Sequence, residues 1–307
     1  MMSYTFDYSR EFKNSIVELH RGKEALPFYE RYIDDHLGGP NSRLSNFVRY
    51  LYSEIRHHCG ELSSQRVLDF GCGTGATTVA LAMHCSRVVA FDIDEGSIAA
   101  CEKRLIEHHL IDKVHLLCAA DFEDVIGKVG TFDFILLNGV IEHIALSKIG
   151  LRKKILQILF DILNLKGVLY INKTPNRLWP IDRHTTGLWW IPWTRPGSMW
   201  AYSKAVRMGK HFDNPETHSY GPLGLEERGA WGVTFFEIKK YLSGKSFEII
   251  NSLRGHDRHL SYTQKGENFQ RRIFDFFIYY FLTRWSRMPI TAVAPFITHL
   301  AIRKIGR

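Results

Sequence analysis

The chain has 307 residues, of which 45% are hydrophobic and 23% are charged, and its Lys and Arg residues exceed Asp and Glu by eight. This is a globular composition, and the length suits one enlarged domain or two small ones. The modest and scattered basic excess suits an anionic substrate or an anionic membrane face, and it is no nucleic-acid-binding signature. We therefore expect no nucleic-acid partner.

The cysteine pattern and the apolar runs bear on cellular location. The five cysteines form no C-x-x-C pair, so we expect reduced thiols rather than a disulfide framework or a zinc site. Residues 1–10 lack the apolar core of a secretory signal. The longest apolar run, residues 273–282, is interrupted by Asp275 and is too short to span a bilayer. These patterns favour a cytoplasmic protein.

Residues 1–63 are predicted to form an N-terminal helical segment. From Ser42 to His58, apolar residues recur at spacings of three and four, as on one face of a helix. Ser42 can cap the start of this helix and Gly60 its end. The earlier part is aromatic with little periodicity, and it can either cover a ligand cleft or pack against a sheet.

Three alternate glycines form the most informative stretch. An apolar strand from Val67 to Phe70 runs into Gly71, Gly73 and Gly75, and a helix is predicted from Ala76 to Ala82. Strand, glycine turn and helix together are typical of a nucleotide-binding α/β unit. Glycine permits positive φ and close approach of the backbone to a ligand. The N–H groups at the helix start would then face that ligand.

Acidic residues follow the next two predicted strands. The strand Arg87 to Phe91 ends at Asp92, about twenty residues after the first glycine, where a carboxylate can accept hydrogen bonds from a ribose diol. The strand Lys113 to Cys118 is followed by Asp121 and Phe122. This second acid can accept from an adenine amino group, with the phenyl ring beside the base.

Two more strands complete the predicted core, residues 64–172. The fourth runs from Thr131 to Asn138 and is followed by a helix from Ser147 to Leu163. A turn at residues 164–167 leads into a fifth strand, Val168 to Asn172. Strands alternating with helices predict a doubly wound, mostly parallel α/β sheet that binds its ligand at the carboxyl ends of the strands.

Together these motifs resemble the class I S-adenosylmethionine-dependent methyltransferases. The resemblance covers residues 66–177 and rests on four motifs: Leu68 to Gly75, Phe91-Asp92-Ile93, Ala120-Asp121, and Phe132-Asp133 through Val140-Ile141-Glu142-His143-Ile144. The last motif, with Thr174-Pro175-Asn176-Arg177, is most similar to the branch of type 11 and type 23 methyltransferases that includes the ubiquinone-biosynthesis enzymes.

The resemblance implies a seven-stranded Rossmann-like sheet with an antiparallel edge strand, for which residues 247–250 and 297–302 are the candidate partners. It also implies S-adenosyl-L-methionine as the cofactor. The implied cofactor-binding residues are Asp69, Gly71, Cys72, Gly73, Gly75, Asp92, Ile93, Asp121, Phe122 and Asn138. Two alternatives stay open: a methyltransferase fold that binds the cofactor without catalysis, and a nicotinamide-dependent dehydrogenase.

Residues 173–233 are predicted to form a cap rich in tryptophan and proline. Aromatic walls suit a sugar face, a quinone ring or a prenyl chain, although a separately packed cap would also be aromatic. The candidate substrate-binding residues are Trp179, Trp189, Trp190 and Trp193. For O-methylation a histidine base is expected, and His143 and His184 are the candidates. Glu142 with one histidine makes only two ligands, so we predict no metal.

Residues 234–307 are predicted to form the sheet edge, with a helix from Thr234 to Leu242 and an apolar helical insertion at about 254–295. Basic residues flank the apolar run 273–282, so residues 271–287 can contact a membrane surface, or the run can pack inside a cap or a dimer interface. The predicted acceptor is a small or lipid-linked sugar, quinone or prenyl compound.

Overall fold

A computed structural model of the chain describes residues 5–20, 29–39, 42–144, 150–210, 220–250 and 290–306. The predicted run 273–282 and the predicted membrane contact 271–287 lie outside these residues, as does most of the insertion at 254–295.

The described residues contain nine strands. They are β1 Arg66–Phe70, β2 Arg87–Asp92, β3 Val114–Cys118, β4 Phe132–Asn138, β5 Leu163–Asn172, β6 Thr174–Pro175, β7 Phe247–Ile249, β8 Phe296–Ile297 and β9 Leu300–Lys304. Seven of them form one sheet in the order β3-β2-β1-β4-β5-β9-β7. Strand β1 is parallel to β2 and β4, β2 is parallel to β3, and β7 is antiparallel to β9. The predicted fold class, a mostly parallel sheet with an antiparallel edge strand, is confirmed.

Helices surround the strands. They are α1 Arg10–Leu19, α2 Tyr29–His36, α3 Arg43–Asn46, α4 Tyr52–Cys59, α5 Ala76–Ala82, α6 Glu95–Glu107, α7 Glu123–Val129, α8 Leu151–Asp161, α9 Met199–Arg207, α10 Gly221–Glu227 and α11 Phe235–Tyr241. A π-helical stretch, Phe47–Leu51, joins α3 to α4. The helix predicted from Ser42 to His58 therefore exists, with Ser42 as its cap and Gly60 ending it at φ 81°.

The central strands β1 and β4 are mostly apolar, which suits strands buried on both faces of the sheet. All residues of β1 except the first are buried, and β4 is buried from Phe134 to Leu137. Parallel strands covered on both faces are near-continuous apolar runs rather than alternating ones. This is why the sequence signal for β1 and β4 is so clear.

The chain divides into two compact units. One comprises Met1–Asn138 and Ile162–Tyr170, and the other comprises Gly139–Asp161 and Ile171–Arg307. The first unit contains β1 to β4 and the glycine stretch. The second contains the tryptophan-rich segment and α8 to α11. The predicted division at residues 63, 172 and 233 stays a prediction.

Two predicted boundaries are wrong. Strand β5 begins at Leu163, so the turn predicted at 164–167 lies within its limits, where Lys166 adopts a left-handed φ of 69°. Residues 297–302 are not one strand, because Ile297 belongs to β8, which pairs with β6, whereas β9 starts at Leu300. His299, with a φ of 54°, separates the two strands, and such a backbone turn leaves little trace in apolar periodicity.

Among the described helices, none has both the length and the apolar character that crossing a bilayer requires.

Helix α11 offers a test of local stability through its capping box. The Thr234 hydroxyl accepts from the Glu237 N–H at 2.9 Å, and the Glu237 carboxylate accepts from the Thr234 N–H at 2.7 Å. Thr234→Ala should lower the free energy of unfolding by about 1 kcal/mol, because one amide loses its partner. Urea unfolding followed by circular dichroism measures the change. Thr131→Ala, at an exposed threonine, is the control, and equal stability of the two variants would contradict the role of the cap.

Candidate cofactor-binding site

The glycine turn after β1 is held in a left-handed conformation and tied to β2. Gly71, Gly73 and Gly75 have φ values of 76°, 51° and 83°. The N–H groups of Gly71 and Cys72 both donate to the carbonyl oxygen of Phe91, at 2.8 and 3.0 Å. Residues with a Cβ rarely adopt such values, so the turn requires glycine. The positions predicted from the sequence are thus the ones that bend the chain.

Two of these glycines serve different purposes. A Cβ on Gly75 would lie 2.5 Å from the Cys101 sulfur, so this glycine allows the turn to pack against α6. A Cβ on Gly73 would meet no atom within 4 Å, so the space above this residue is open. The Cys72 side chain is buried, and both its contact with Cys101 and its burial raise the pKa of its thiol well above the usual value. Cys72 is therefore a packing residue whose backbone alone can face a ligand.

Asp92 joins the end of β2 to the glycine turn. Its Oδ2 accepts from the Gly73 N–H at 2.7 Å, and its Oδ1 accepts from the Asp94 N–H at 3.1 Å. Burial raises the pKa of Asp92, and these two N–H groups oppose the rise. Each carboxylate oxygen can accept a second hydrogen bond, so the group retains capacity for a ligand diol. The next residue, Ile93, is 66% exposed and offers an apolar surface beside it.

Asp69 lies beneath the turn. It is 1% exposed, and its Oδ2 accepts from the Thr78 hydroxyl of α5 at 2.7 Å. Burial raises the pKa of Asp69 to about 7, against the opposing effect of the Thr78 hydrogen bond. Asp69 therefore ties the end of β1 to α5, the two elements that flank the glycine turn. Contact of Asp69 with a cofactor stays a prediction.

The three remaining predicted cofactor residues lie in different settings. Asp121 is exposed, and its Oδ1 accepts from the Glu123 N–H at 3.0 Å. The Phe122 ring is 5% exposed and packs edge-on against Phe70 and Phe91. Asn138, at the end of β4, donates from Nδ2 to the Thr77 hydroxyl at 3.2 Å. Their contacts with a cofactor stay predictions, and the Phe122 ring has little free surface to offer a base.

A buried arginine, which the sequence analysis missed, ties the N-terminal segment to the glycine turn. The side chain of Arg104 in α6 is fully buried and donates to the Thr74 carbonyl at 2.7 Å, the Tyr8 hydroxyl at 2.8 Å and the His36 carbonyl at 3.0 Å. His36 Nδ1 also lies 2.9 Å from the Thr74 hydroxyl. The early aromatic segment therefore packs beside the turn. Arg104 lies three residues after the buried Cys101 on the same helix, and this spacing was the available sign that its side chain points inward.

In the second unit, three side chains come together that are far apart in the sequence. Glu142, His143 and His184 each offer one possible metal-ligand atom, and these three atoms lie within 4.8 Å of one another. The two imidazole rings meet edge to face, with centroids 5.2 Å apart. Glu142 is fully buried, whereas both histidines are exposed. The two predicted bases are thus neighbours, although their role in catalysis stays a prediction.

The tryptophans of the cap divide into two kinds. Trp189, Trp190, Trp193 and Trp200, here called the tryptophan surface, are 47–56% exposed. The rings of Trp189 and Trp190 lie 5.8 Å apart and those of Trp190 and Trp193 lie 5.1 Å apart. Trp179 is half-buried, with the Arg183 guanidinium 5.7 Å from its ring centre. Contact of the four predicted tryptophans with substrate stays a prediction.

The glycine turn, Asp92, Asp121 and Asn138 all lie within one segment that matches a protein-family model. Residues 67–167 match the family model described as a methyltransferase domain. This segment is thus similar to methyltransferase domains. The match covers about a third of the chain, from β1 into β5, and it agrees with the class of enzyme that the sequence motifs resembled. No curated protein matches the chain.

Solved structures are similar to parts of the chain. A precorrin 8w decarboxylase from Methanobacterium thermoautotrophicum is 28% identical, with 40% of this chain and 61% of that one covered and a TM-score of 0.34. An S-adenosylmethionine-dependent methyltransferase from Clostridium acetobutylicum is 18% identical, with 46% and 54% covered and a TM-score of 0.37. An amino pentose methyltransferase from Micromonospora echinaspora is 19% identical, with 48% and 56% covered and a TM-score of 0.35. The chain thus spans little more than half the length of these proteins, and such low scores identify no function.

The buried Asp69 offers a test through the pH dependence of stability. The raised pKa of Asp69 means that the folded chain holds this proton more tightly than the unfolded chain. This contribution to stability is present below the ordinary pKa of 3.8 and is lost as the pH rises through about 7. Asp69→Asn should therefore gain stability relative to the wild type over that range, by a few kcal/mol at most.

Urea unfolding at a series of pH values measures this difference. Asp112→Asn changes an exposed carboxylate and is the control, for which we expect a constant offset. Parallel curves for the wild type and Asp69→Asn would contradict a raised pKa at Asp69.

Proposed function

We propose that the protein is an S-adenosyl-L-methionine-dependent methyltransferase that methylates an oxygen of a small or lipid-linked acceptor. The observation that carries the proposal is the hydrogen bond between the Gly73 N–H and the Asp92 carboxylate, within the residues that match the methyltransferase domain. It holds a left-handed glycine turn beside an acid at the carboxyl ends of parallel strands. That is the edge at which such sheets bind their ligands.

The domain's own residues supply binding and orientation. The second lone pairs of the Asp92 carboxylate would accept from the ribose hydroxyls, and the open backbone at Gly73 would allow the cofactor to lie close. Ile93 and Asp121 would contact the adenine, and Asn138 would lie toward the methionine end. Bound S-adenosylmethionine supplies an activated methyl group for in-line displacement, so the protein mainly positions the two reactants and excludes water.

The tryptophan surface supports a lipid-linked acceptor. Its aromatic side chains are exposed, and the Lys204 ammonium lies 5.1 Å from the Trp200 ring centre. Trp190 has a φ of 73°, a left-handed backbone that a bulky residue seldom adopts. Residues with strained backbones of this kind cluster at functional sites. Large rings with a basic neighbour suit the boundary between apolar chains and anionic head groups.

We also propose a branch of methyltransferases and a class of acceptor. We place the enzyme with the ubiquinone-biosynthesis type of methyltransferase, on the strength of residues 140–144 and 174–177. The acceptor class is then a sugar, quinone or prenyl compound, with no role for nucleic acid. An O-methylation needs the acceptor hydroxyl to lose its proton, and His143 and His184 are the neighbouring groups suited to assist.

Calorimetric titration with S-adenosylhomocysteine tests the cofactor assignment. We expect micromolar binding to the wild type and at least roughly tenfold weaker binding to Asp92→Ala, because hydrogen bonds to a charged group are lost. Asp92→Asn retains one acceptor oxygen and should be intermediate. Asp112→Ala is the control. Failure to bind, or preference for NADH in a parallel titration, would overturn the proposal.

A flotation assay tests the lipid-linked acceptor. With phosphatidylglycerol vesicles at low salt, we expect the wild type to float and the double variant Trp193→Ser/Trp200→Ser to float several-fold less. Phe236→Ser removes another exposed aromatic ring and is the control. If the wild type ignores these vesicles, or the tryptophan variant floats as well as the control, the tryptophan surface is no membrane contact.

A further inference from the structure

The second unit contains a carboxylate, that of Glu142, whose burial no hydrogen bond among the described residues offsets. Glu142 is fully buried, and neither of its carboxylate oxygens has a hydrogen-bond partner among the described residues. A buried charge without hydrogen bonds is strongly unfavourable, and a bound ion is one of the few arrangements that satisfies it. Two histidines lie beside it, and histidine is the commonest metal ligand in proteins.

We propose that Glu142, His143 and His184 bind a divalent transition-metal ion, for which Zn²⁺ is the best match. Two imidazoles and one carboxylate form a ligand set that Zn²⁺ uses in catalytic sites, with a further position left open. Ligands on a tetrahedral zinc ion lie about 3.4 Å apart, given bonds of about 2.1 Å. The three ligand atoms already lie within 4.8 Å of one another, so modest side-chain rotations suffice.

His143 is already oriented to bind a metal. Its Nδ1 lies 2.9 Å from the carbonyl oxygen of Glu227. Because a carbonyl oxygen can only accept, Nδ1 must carry the proton of this hydrogen bond. In the neutral ring, Nε2 then has its lone pair available. Such a hydrogen bond from the second ring nitrogen is the usual support of a metal-bound histidine.

His184 is held by the turn on which it lies. The Asp182 Oδ1 accepts from the N–H groups of His184 and Thr185, at 3.0 and 2.9 Å, and its Oδ2 accepts from Thr186. The Thr185 hydroxyl donates to the Arg228 carbonyl at 2.7 Å. The turn is thereby joined to the stretch of chain that also supports His143.

A glycine allows the ligands to approach one another. Gly229 has a φ of 87°, and a Cβ there would lie 2.9 Å from both the Glu142 Cγ and the His184 Cδ2. Arg152 holds the chain on the other side by donating to the carbonyls of Ile144, Gly232 and Glu142. The positive charge of Arg152 offsets part of the energetic cost of burying Glu142. The guanidinium makes no hydrogen bond to the Glu142 carboxylate. Three segments of chain thus converge on one site.

The exposure of both histidines leaves one side of the site accessible. A bound ion would therefore keep an open position for an oxygen ligand. If the proposed methylation is right, on which this step rests, the ion would bind the acceptor hydroxyl and lower its pKa, so that the proton is lost near neutral pH. Both histidines would then act as ligands and not as the base.

Metal binding is tested on the full chain after treatment with a chelator. We expect calorimetry to give one Zn²⁺ per chain, and Co²⁺ to give the visible bands of a site with four or five ligands. Glu142→Gln and His184→Ala should each weaken Zn²⁺ binding by roughly tenfold or more, since loss of even an outer partner costs that much. Glu102→Gln and His115→Ala, at exposed positions, should bind as the wild type does.

Thermal unfolding provides a readout that does not depend on activity. Without metal, Glu142→Gln should melt no lower than the wild type, because it removes an unpaired buried charge, and Zn²⁺ should raise its melting temperature less. The proposal would be overturned if Glu142→Gln melted below the wild type without metal and Zn²⁺ still raised its melting temperature as much as that of the wild type. It would also be overturned if Glu142→Gln and His184→Ala bound Zn²⁺ as tightly as the controls. Preference for Mg²⁺ over Zn²⁺ would overturn the choice of ion.

The metal-site proposal and the cofactor proposal can be tested separately. Asp92→Ala should lose S-adenosylhomocysteine and keep Zn²⁺, whereas Glu142→Gln should lose Zn²⁺ and keep S-adenosylhomocysteine. Loss of both ligands in either variant would show a folding defect, which circular dichroism of that variant detects. His184→Ala then provides the independent measurement of the metal site.

Discussion

The candidate cofactor site of the first unit depends on one carboxylate at the tip of β2. Asp92 accepts hydrogen bonds from the glycine turn after β1 and from the start of α6. Without it, the Gly73 N–H would lose its hydrogen bond, and the turn would lose its side-chain link to the end of β2. The hydrogen bond between Asp69 and Thr78 joins β1 to α5, the two elements on either side of the same turn. The geometry offered to a ligand is thus a property of two strands and two helices together, rather than of the glycines alone.

The sequence predicted the first unit well because its signals are local. A strand buried on both faces is an apolar run, and a left-handed turn needs glycine, so β1, α5 and β2 could be located from neighbouring residues. The contacts between distant residues were beyond such reasoning. Arg104 is an ordinary helical arginine in the sequence, and only the fold shows that it donates to residues 30, 68 and 96 positions away.

The same limit explains the outcome in the second unit. From the sequence, Glu142 and His143 are two adjacent polar residues after β4, and two ligands do not define a metal site. His184 lies 41 positions further along, on a turn held by Asp182, and no periodicity links it to them. The strand boundary near His299 was missed for a related reason, because a single left-handed residue separates two strands without changing their apolar pattern. At residues 164–167 the error was the opposite one, since a turn was predicted where β5 continues through Lys166.

The buried guanidinium of Arg104 has a consequence for any shortened form of the protein. Tyr8 and the His36 carbonyl satisfy two of its donors, so removal of the first 36 residues would leave a cation enclosed with donors unpaired, directly behind the glycine turn. Tyr8 and His36 are therefore part of the packing behind the glycine turn. A protein trimmed to the residues that the family match covers would lack a neighbour on which Thr74 and Arg104 depend.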